Sequence, residues 1–279
     1  MKVNVLIENT ECEGLCAEHG LCLCVEYNDK KYLIDSGASN LFLQNADSMG
    51  IDLDKIDMAF LSHAHYDHSG GYPDFFERNT HAKVYLQKAS KNRQYFKIAG
   101  PIKKYIGIPK GTLDSYKERF EFVDGAAKID EGIYIVPHST EGIIERAKHT
   151  HMCVVVDGKT QYDDFSHEQT VVFEEDDGLV CFNSCSHSGV DIVIEEVKKA
   201  FPDKKIKAYI GGFHMMGIMG INSCSYDKKD VLEVANKLLH TSDAKFYSGH
   251  CTGLVAYKWL EEVLEDRLEA LRPGKTFSV

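Results

Sequence analysis

The stretch "SHAHYDHSGG", Ser62 to Gly71, carries three histidines and an aspartate within six consecutive positions, His63 to His68. It follows the apolar run "IDMAFLS", so His63 and His65, two apart where an extended chain ends, point to the same side. Asp67 and His68 come next, and Ser69-Gly70-Gly71 lets the backbone turn sharply into the following element. Neutral imidazoles with a carboxylate suit zinc, iron or manganese. One ion cannot comfortably take the adjacent Asp67 and His68 as well as both other histidines. Two ions divide them, with His63 and His65 on one and Asp67 and His68 on the other.

Two ions need more donors than this turn supplies. Three later histidines repeat its local grammar of apolar strand, small residue and histidine: "LVCFNSCSHSG" with His187, "KAYIGGFH" with His214, and "AKFYSGHCTG" with His250. The ends of parallel strands in an α/β sheet converge on one edge, where sites form. His187 and His250, each between small residues, read as ligands. His214, followed by Met215 and Met216, sits in a less turn-like context and reads as a substrate-side histidine or a support for a ligand. Glu168 in "DDFSHEQTVVF" is an acidic candidate for the same site. The pair His149 and His151 precedes a strand and has no carboxylate after it, which favours an exposed strand edge. His138 and His167 stay unassigned, and His81 and His240 look like surface positions.

The rest of the chain alternates strands and helices. "KVNVLIE", "LCLCVEY" and "KKYLIDSG" read as strands, with Asn28-Asp29 turning the last two into a hairpin. "SNLFLQNADSMG" has helical spacing, with Ser39 or Asn40 as N-cap and Gly50 as stop. Later helices are expected over "VDIVIEEVKKAF", "KKDVLEVANKLLH" and "LVAYKWLEEVLEDRLEAL". Between about residues 91 and 145 the periodicity weakens. Aromatics, lysines and Gly/Pro breaks there predict an insertion, either a lid and substrate wall or a surface excursion. The expectation is one α/β domain over residues 1–279 with helices outside the sheets.

Bulk properties exclude little but consistently. With 43% hydrophobic and 27% charged residues, the chain is an ordinary globular sequence. A net charge of −11 argues against nucleic acid or an anionic membrane as partner and leaves a small-molecule substrate. No apolar run approaches the ~20 residues of a membrane span. "MKVNVLIENTECEG" breaks into charge and cysteine too early for a signal peptide, so a cytoplasmic location is expected. Nine cysteines without an export signal predict free thiols. Cys12, Cys16, Cys22 and Cys24 match no usual zinc or iron–sulfur spacing and read as core fillers and loop thiols.

"SHAHYDHSGG", with "YLIDSG" upstream, resembles the His-x-His-x-Asp-His signature and first motif of the metallo-β-lactamase superfamily. Together with "AEHGLCLCVEY", "CSHSG", "IGGFH" and "GHCTG", it is similar to a subgroup that includes relatives of an archaeal dihydropterin (ribofuranosyl)aminobenzene phosphate synthase. The resemblance implies a four-layer αββα sandwich with a dinuclear site at its edge. By it His63, His65, Asp67, His68 and His250 are metal ligands, Asp35 supports the site from behind the ligands, and Glu18-His19-Gly20 lies nearby. One departure stands out. Members of the superfamily usually carry a metal-bridging aspartate at the end of the strand that here finishes "NSCSHSG", where Cys185 and His187 are found instead. His187 then fills either the third-histidine or the bridging role, and Cys185 is a soft ligand or packing.

The expected activity is hydrolysis of a small phosphodiester or ester by a water activated between two divalent ions, zinc first, with iron or manganese as alternatives. Asp67 would handle the proton of that water and His214 would serve the leaving group. Three competing readings are iron-dependent oxygen or sulfur chemistry, a dihydropterin-type synthase, and a metal-bearing protein that binds a metabolite without turnover.

Overall fold

The structure is a computed structural model and describes residues 1–100, 102–140 and 142–279. Positions 101 and 141, inside the expected insertion, lie outside the described residues. Two seven-stranded sheets form the centre. The first runs Thr276–Ser278, Lys2–Ile7, Cys22–Tyr27, Lys30–Ile34, Met58–Phe60, Lys83–Gln87, Phe120–Val123. The second runs Leu268–Ala270, Lys245–Ser248, Ile206–Ile210, Gly178–Phe182, Gln169–Glu175, Ile133–Pro137, Ala127–Asp130.

Alternation along the strands explains the layering. Leu23 and Val25 face the second sheet, whereas Cys22 and Cys24 face the helices Leu41–Ser48 and Tyr72–Arg78. Likewise Val180 and Phe182 point between the sheets, and Leu179 and Cys181 point to the helices Val190–Ala200, Lys228–Thr241 and Leu254–Leu264. The inter-sheet core centres on Phe173, whose ring meets Tyr27, Tyr32 and Phe60 at 5.2, 5.3 and 6.3 Å. Burying each such ring contributes roughly 1.5–3 kcal/mol. The result is the expected αββα sandwich. Cys22, Cys24 and Cys181 are apolar fillers within it, and all nine cysteines are free.

Two expectations change. The last helix stops at Leu264, because Glu265 takes a left-handed φ of 48° and Leu268–Ala270 leaves to pair in parallel with Lys245–Ser248. The segment outside the sandwich also differs from residues 91–145. Phe120–Val123 and the hairpin Ala127–Asp130/Ile133–Pro137 belong to the main sheets. The extra piece is a four-stranded antiparallel sheet that joins Arg93–Ala99 and Ile102–Tyr105 to Met152–Val156 and Lys159–Tyr162. "HMCVVVDG" reads as a strand and is Met152–Val156, whereas Arg93–Ala99 and Ile102–Tyr105, between Gly and Pro breaks, show too little alternation to be recognised. The contact that joins the two hairpins, Arg93–Ala99 against Met152–Val156, is non-local. No described helix is long and apolar enough to cross a membrane.

The parallel strands place the chemistry. Lys30–Ile34, Met58–Phe60, Gly178–Phe182, Ile206–Ile210 and Lys245–Ser248 end just before Asp35, Ser62-His63, Cys185-Ser186-His187, His214 and His250. The turn after His68 is pressed onto the loop after Ile34: a side chain at Gly70 would put its Cβ 2.1 Å from the Ala38 carbonyl oxygen. Gly70→Ala is therefore expected to cost about 3 kcal/mol or more in urea unfolding, and a loss below about 0.5 kcal/mol would contradict this packing.

Candidate metal centre

His63, His65 and His187 form one half of the site. Their rings stand 4.7 Å apart in every pairing. All three are buried, and Nε2 of His63, Nε2 of His65 and both ring nitrogens of His187 have no hydrogen-bond partner. Each buried, unpaired polar atom costs about 1–3 kcal/mol, so three facing imidazoles that each keep an unpaired ring nitrogen are hard to explain without a cation among them. Burial, then the neighbouring imidazoles, push His63 and His187 well below the usual histidine range and His65 down to about 3. The three rings are neutral at pH 7 and offer lone pairs, as metal ligands must.

Asp67, His68, His250 and His19 form the other half. Asp67 Oδ2 lies 3.2 Å from His19 Nε2, 3.4 Å from His68 Nε2 and 3.5 Å from His250 Nε2. His68 Nε2 and His250 Nε2 face each other at 3.0 Å. Both rings have committed their other nitrogen. His68 Nδ1 donates to Asp35 Oδ2 at 2.7 Å, and His250 Nδ1 donates to Asn9 Oδ1 at 2.8 Å. Two lone pairs then meet unless a positive charge separates them. Burial opposes charge on His68, yet Asp67 and Asp35 raise its pKa to about 10. Burial likewise opposes charge on Asp67, but His68, His19 and His250 hold its carboxyl well below the ordinary range. This corner is built around a cation, supplied by a proton or by a metal ion.

Asp35 ties the two halves together from behind. Its Oδ1 accepts the Ser62 N–H and its Oδ2 the Ser62 hydroxyl, both at 2.7 Å. Ser62 Oγ in turn accepts from His63 Nδ1 at 2.9 Å. One fully buried carboxylate thus sets the tautomer of His63 directly through Ser62 and of His68 by contact. Other acids hold backbone. Glu168 accepts the N–H of His187 at 2.6 Å and both the N–H and hydroxyl of Ser188, so this candidate acid is a clamp for the His187 turn. Glu8 does the same for His250, whose N–H it accepts at 2.6 Å.

The remaining candidates fall into place around these. Cys185 Sγ lies 3.3 Å from His68 Nε2. The His214 ring lies 4.0 Å from that of His187, tilted by 52°, with its Nδ1 buried and unpaired. Four non-glycine residues with left-handed φ, Asp35, Ser186, His214 and His250, sit in the loops that carry the site, where strain of this kind collects. His167 was unassigned by sequence; it is buried, accepts the Ala64 N–H at 3.1 Å, and donates to Asp163 Oδ2 at 3.2 Å. Its acidic neighbours in "DDFSHE" were the available signal. Glu8 and Asn9 gave none, being distant in sequence from everything they hold. His149 and His151 are exposed, as expected, but at the lip of the pocket.

That pocket has a volume of about 440 Å³. Its floor is His65, Asp67, Cys185, His187 and His250, and its wall is Phe96, Ile98, Ile106, Met152, Met216 and Ile218 with Lys104. The four-stranded extra sheet supplies most of that wall.

The metallo-beta-lactamase superfamily model matches residues 17–160, just over half of the chain and the whole of the His63–His68 turn. The chain belongs to the metallo-beta-lactamase superfamily. An uncharacterized protein of Methanocaldococcus jannaschii is 27% identical over 271 residues, covering 94% of each chain. The 7,8-dihydropterin-6-methyl-4-(beta-D-ribofuranosyl)-aminobenzene-5'-phosphate synthase of the same organism is 24% identical, over 93% of this chain and 89% of that one. A solved metal-dependent hydrolase of the beta-lactamase superfamily aligns over 100% of this chain and 99% of its own, with a TM-score of 0.84 and 24% identity. Superfamily members typically bind metal, and the donors here fit: unpaired neutral imidazoles on one side and a carboxylate with two oriented imidazoles on the other.

Asp35→Asn replaces an acceptor of the His68 and Ser62 protons with a group that accepts only in part. It is expected to weaken metal binding about 10–100-fold in chelator competition; unchanged affinity would mean that the buried carboxylate does not orient the donors.

Proposed function

We propose that this protein is a two-metal hydrolase that cleaves a phosphodiester or ester in a small substrate. The observation that supports it best is the closeness of two donor groups, the facing rings of His63, His65 and His187 and the Asp67 carboxylate with His68 and His250, at a pocket whose floor includes His65, Asp67, His187 and His250. Two divalent ions held there, zinc on the donor chemistry, would bring a water's pKa toward neutrality and stabilise the negative charge that develops in the transition state. The chain's own groups divide the remaining work. Asp67, the carboxylate nearest the pocket, orients the attacking water and accepts a hydrogen bond from it. His214, with a free Nδ1 beside His187, donates to the leaving oxygen. Lys104 attracts an anionic substrate group, and the apolar wall excludes bulk water.

A second reading draws on the wall itself. Phe96, Ile106, Met152 and Met216 offer a flat apolar surface with Lys104 beside it, which suits a ring system bearing an anionic tail. The relative named as a phosphate synthase makes such a product, and a synthase-type reaction fits the same floor. Product analysis separates the two, because hydrolysis takes up one water per turnover and condensation does not.

With zinc-loaded protein and bis(p-nitrophenyl) phosphate or p-nitrophenyl acetate as probes, Asp67→Asn is expected to lower kcat about 10²–10⁴-fold, and His63→Ala to abolish turnover. Activity intact in His63→Ala would overturn the proposal.

A further inference from the structure

We infer that Cys185 is the bridging ligand of this centre, its thiolate shared between the two ions. The inference rests on the two-ion reading above and adds the ligand that joins the ions. Cys185 Sγ belongs to three groups of possible donors, and two of them fall on opposite halves of the site. With His63 and His187 it forms one set of ligand atoms all within 4.8 Å of one another, and with His68 and His250 it forms another. No other side chain in those two sets is shared between them. Donors on one tetrahedral zinc lie roughly 3.3–3.6 Å apart, given bond lengths of about 2.0–2.1 Å to nitrogen and 2.3 Å to sulfur. For a sulfur–nitrogen pair the spacing is about 3.5 Å, and the 3.3 Å between Cys185 Sγ and His68 Nε2 is close to it.

The position is built rather than incidental. Cys185 is buried and lines the pocket floor, in a turn that the left-handed Ser186 and the Glu168 clamp hold rigid. Asn183 Oδ1 accepts the Ser186 N–H at 2.9 Å, closing the same turn. The core cysteines Cys22, Cys24 and Cys181 belong to apolar clusters and to none of the donor groups that Cys185 joins. Cys251 is the natural rival. Its sulfur faces the backbone oxygens of Ser184 and Cys185 at 3.9 and 3.6 Å and groups with Cys185 and His214, not between the two histidine sets. Coordination exchanges the S–H bond for sulfur–metal bonds and releases one proton to solvent, with no change of oxidation state.

Cobalt(II) titration of the metal-free full chain tests this, because a thiolate on cobalt gives an intense near-ultraviolet charge-transfer band that nitrogen and oxygen donors do not. The wild type is expected to take two equivalents and show the band. Cys185→Ser is expected to lose the band and to bind the weaker equivalent at least about tenfold less tightly. Cys251→Ser keeps the band, and Cys185→Asp, which restores a bridging carboxylate, takes two equivalents without it. The aspartate variant also carries the test if the serine variant folds poorly. Two equivalents with no band in the wild type would overturn the thiolate bridge and leave the two-ion reading standing. A band that survives in Cys185→Ser or vanishes in Cys251→Ser would overturn it too. A single equivalent, or none, would overturn both.

Discussion

The carboxylate of Asp35, sealed from solvent, accepts three protons from two neighbours: the N–H and hydroxyl of Ser62 and Nδ1–H of His68. Everything in the metal centre depends on this arrangement. Through Ser62 it fixes His63, and by contact it fixes His68, so the two rings present Nε2 lone pairs to opposite halves of one site. It also joins the ends of the strands Lys30–Ile34 and Met58–Phe60 where they leave the sheet. A buried carboxylate is costly unless its lone pairs are filled. Here two residues fill them and are oriented in return, so that the cost of burial is converted into geometry.

The two halves of the site then differ in electrostatic character. The three-histidine half is neutral and desolvated, a set of lone pairs with no proton to give up. The other half sits between two carboxylates and calls for positive charge. A protein carrying −11 overall repels an anionic substrate on net charge alone. On the proposed reading, ions held by the donors at the pocket floor would supply the local positive field, with Lys104 at the wall. This resolves the tension between an acidic chain and the anionic substrate class proposed for it.

Much of the site was legible in the sequence because its donors are clustered or sit at strand ends. His63, His65, Asp67 and His68 share one turn, and His187 and His250 each follow an apolar strand and small residues. Glu168 was legible as a buried acid near the centre but not as a backbone clamp, because a sequence does not say which way a carboxylate points. Asn9 and Glu8 were not legible at all: they act on His250 across a separation of more than 240 residues, set only by sheet pairing. Alternating strands and helices gave an α/β domain with helices outside the sheets; the four-layer αββα sandwich was what the resemblance carried by the His63–His68 turn implied. The four-stranded wall was legible only at Met152–Val156, because Arg93–Ala99, Ile102–Tyr105 and Lys159–Tyr162 are short and partly exposed, and the pairing of the two hairpins through Arg93–Ala99 and Met152–Val156 joins segments far apart in sequence. The final helix was over-read for a related reason. Its periodicity continues past Leu264, but a left-handed Glu265 and an open sheet edge draw Leu268–Ala270 into strand.

The most direct test of the account is crystallographic: anomalous diffraction at the zinc edge from zinc-loaded protein, which locates ions independently of any activity. The account predicts two peaks about 3.5–4 Å apart, one among His63, His65 and His187 and the other among Asp67, His68 and His250. A single peak, or peaks only at surface carboxylates, would contradict it.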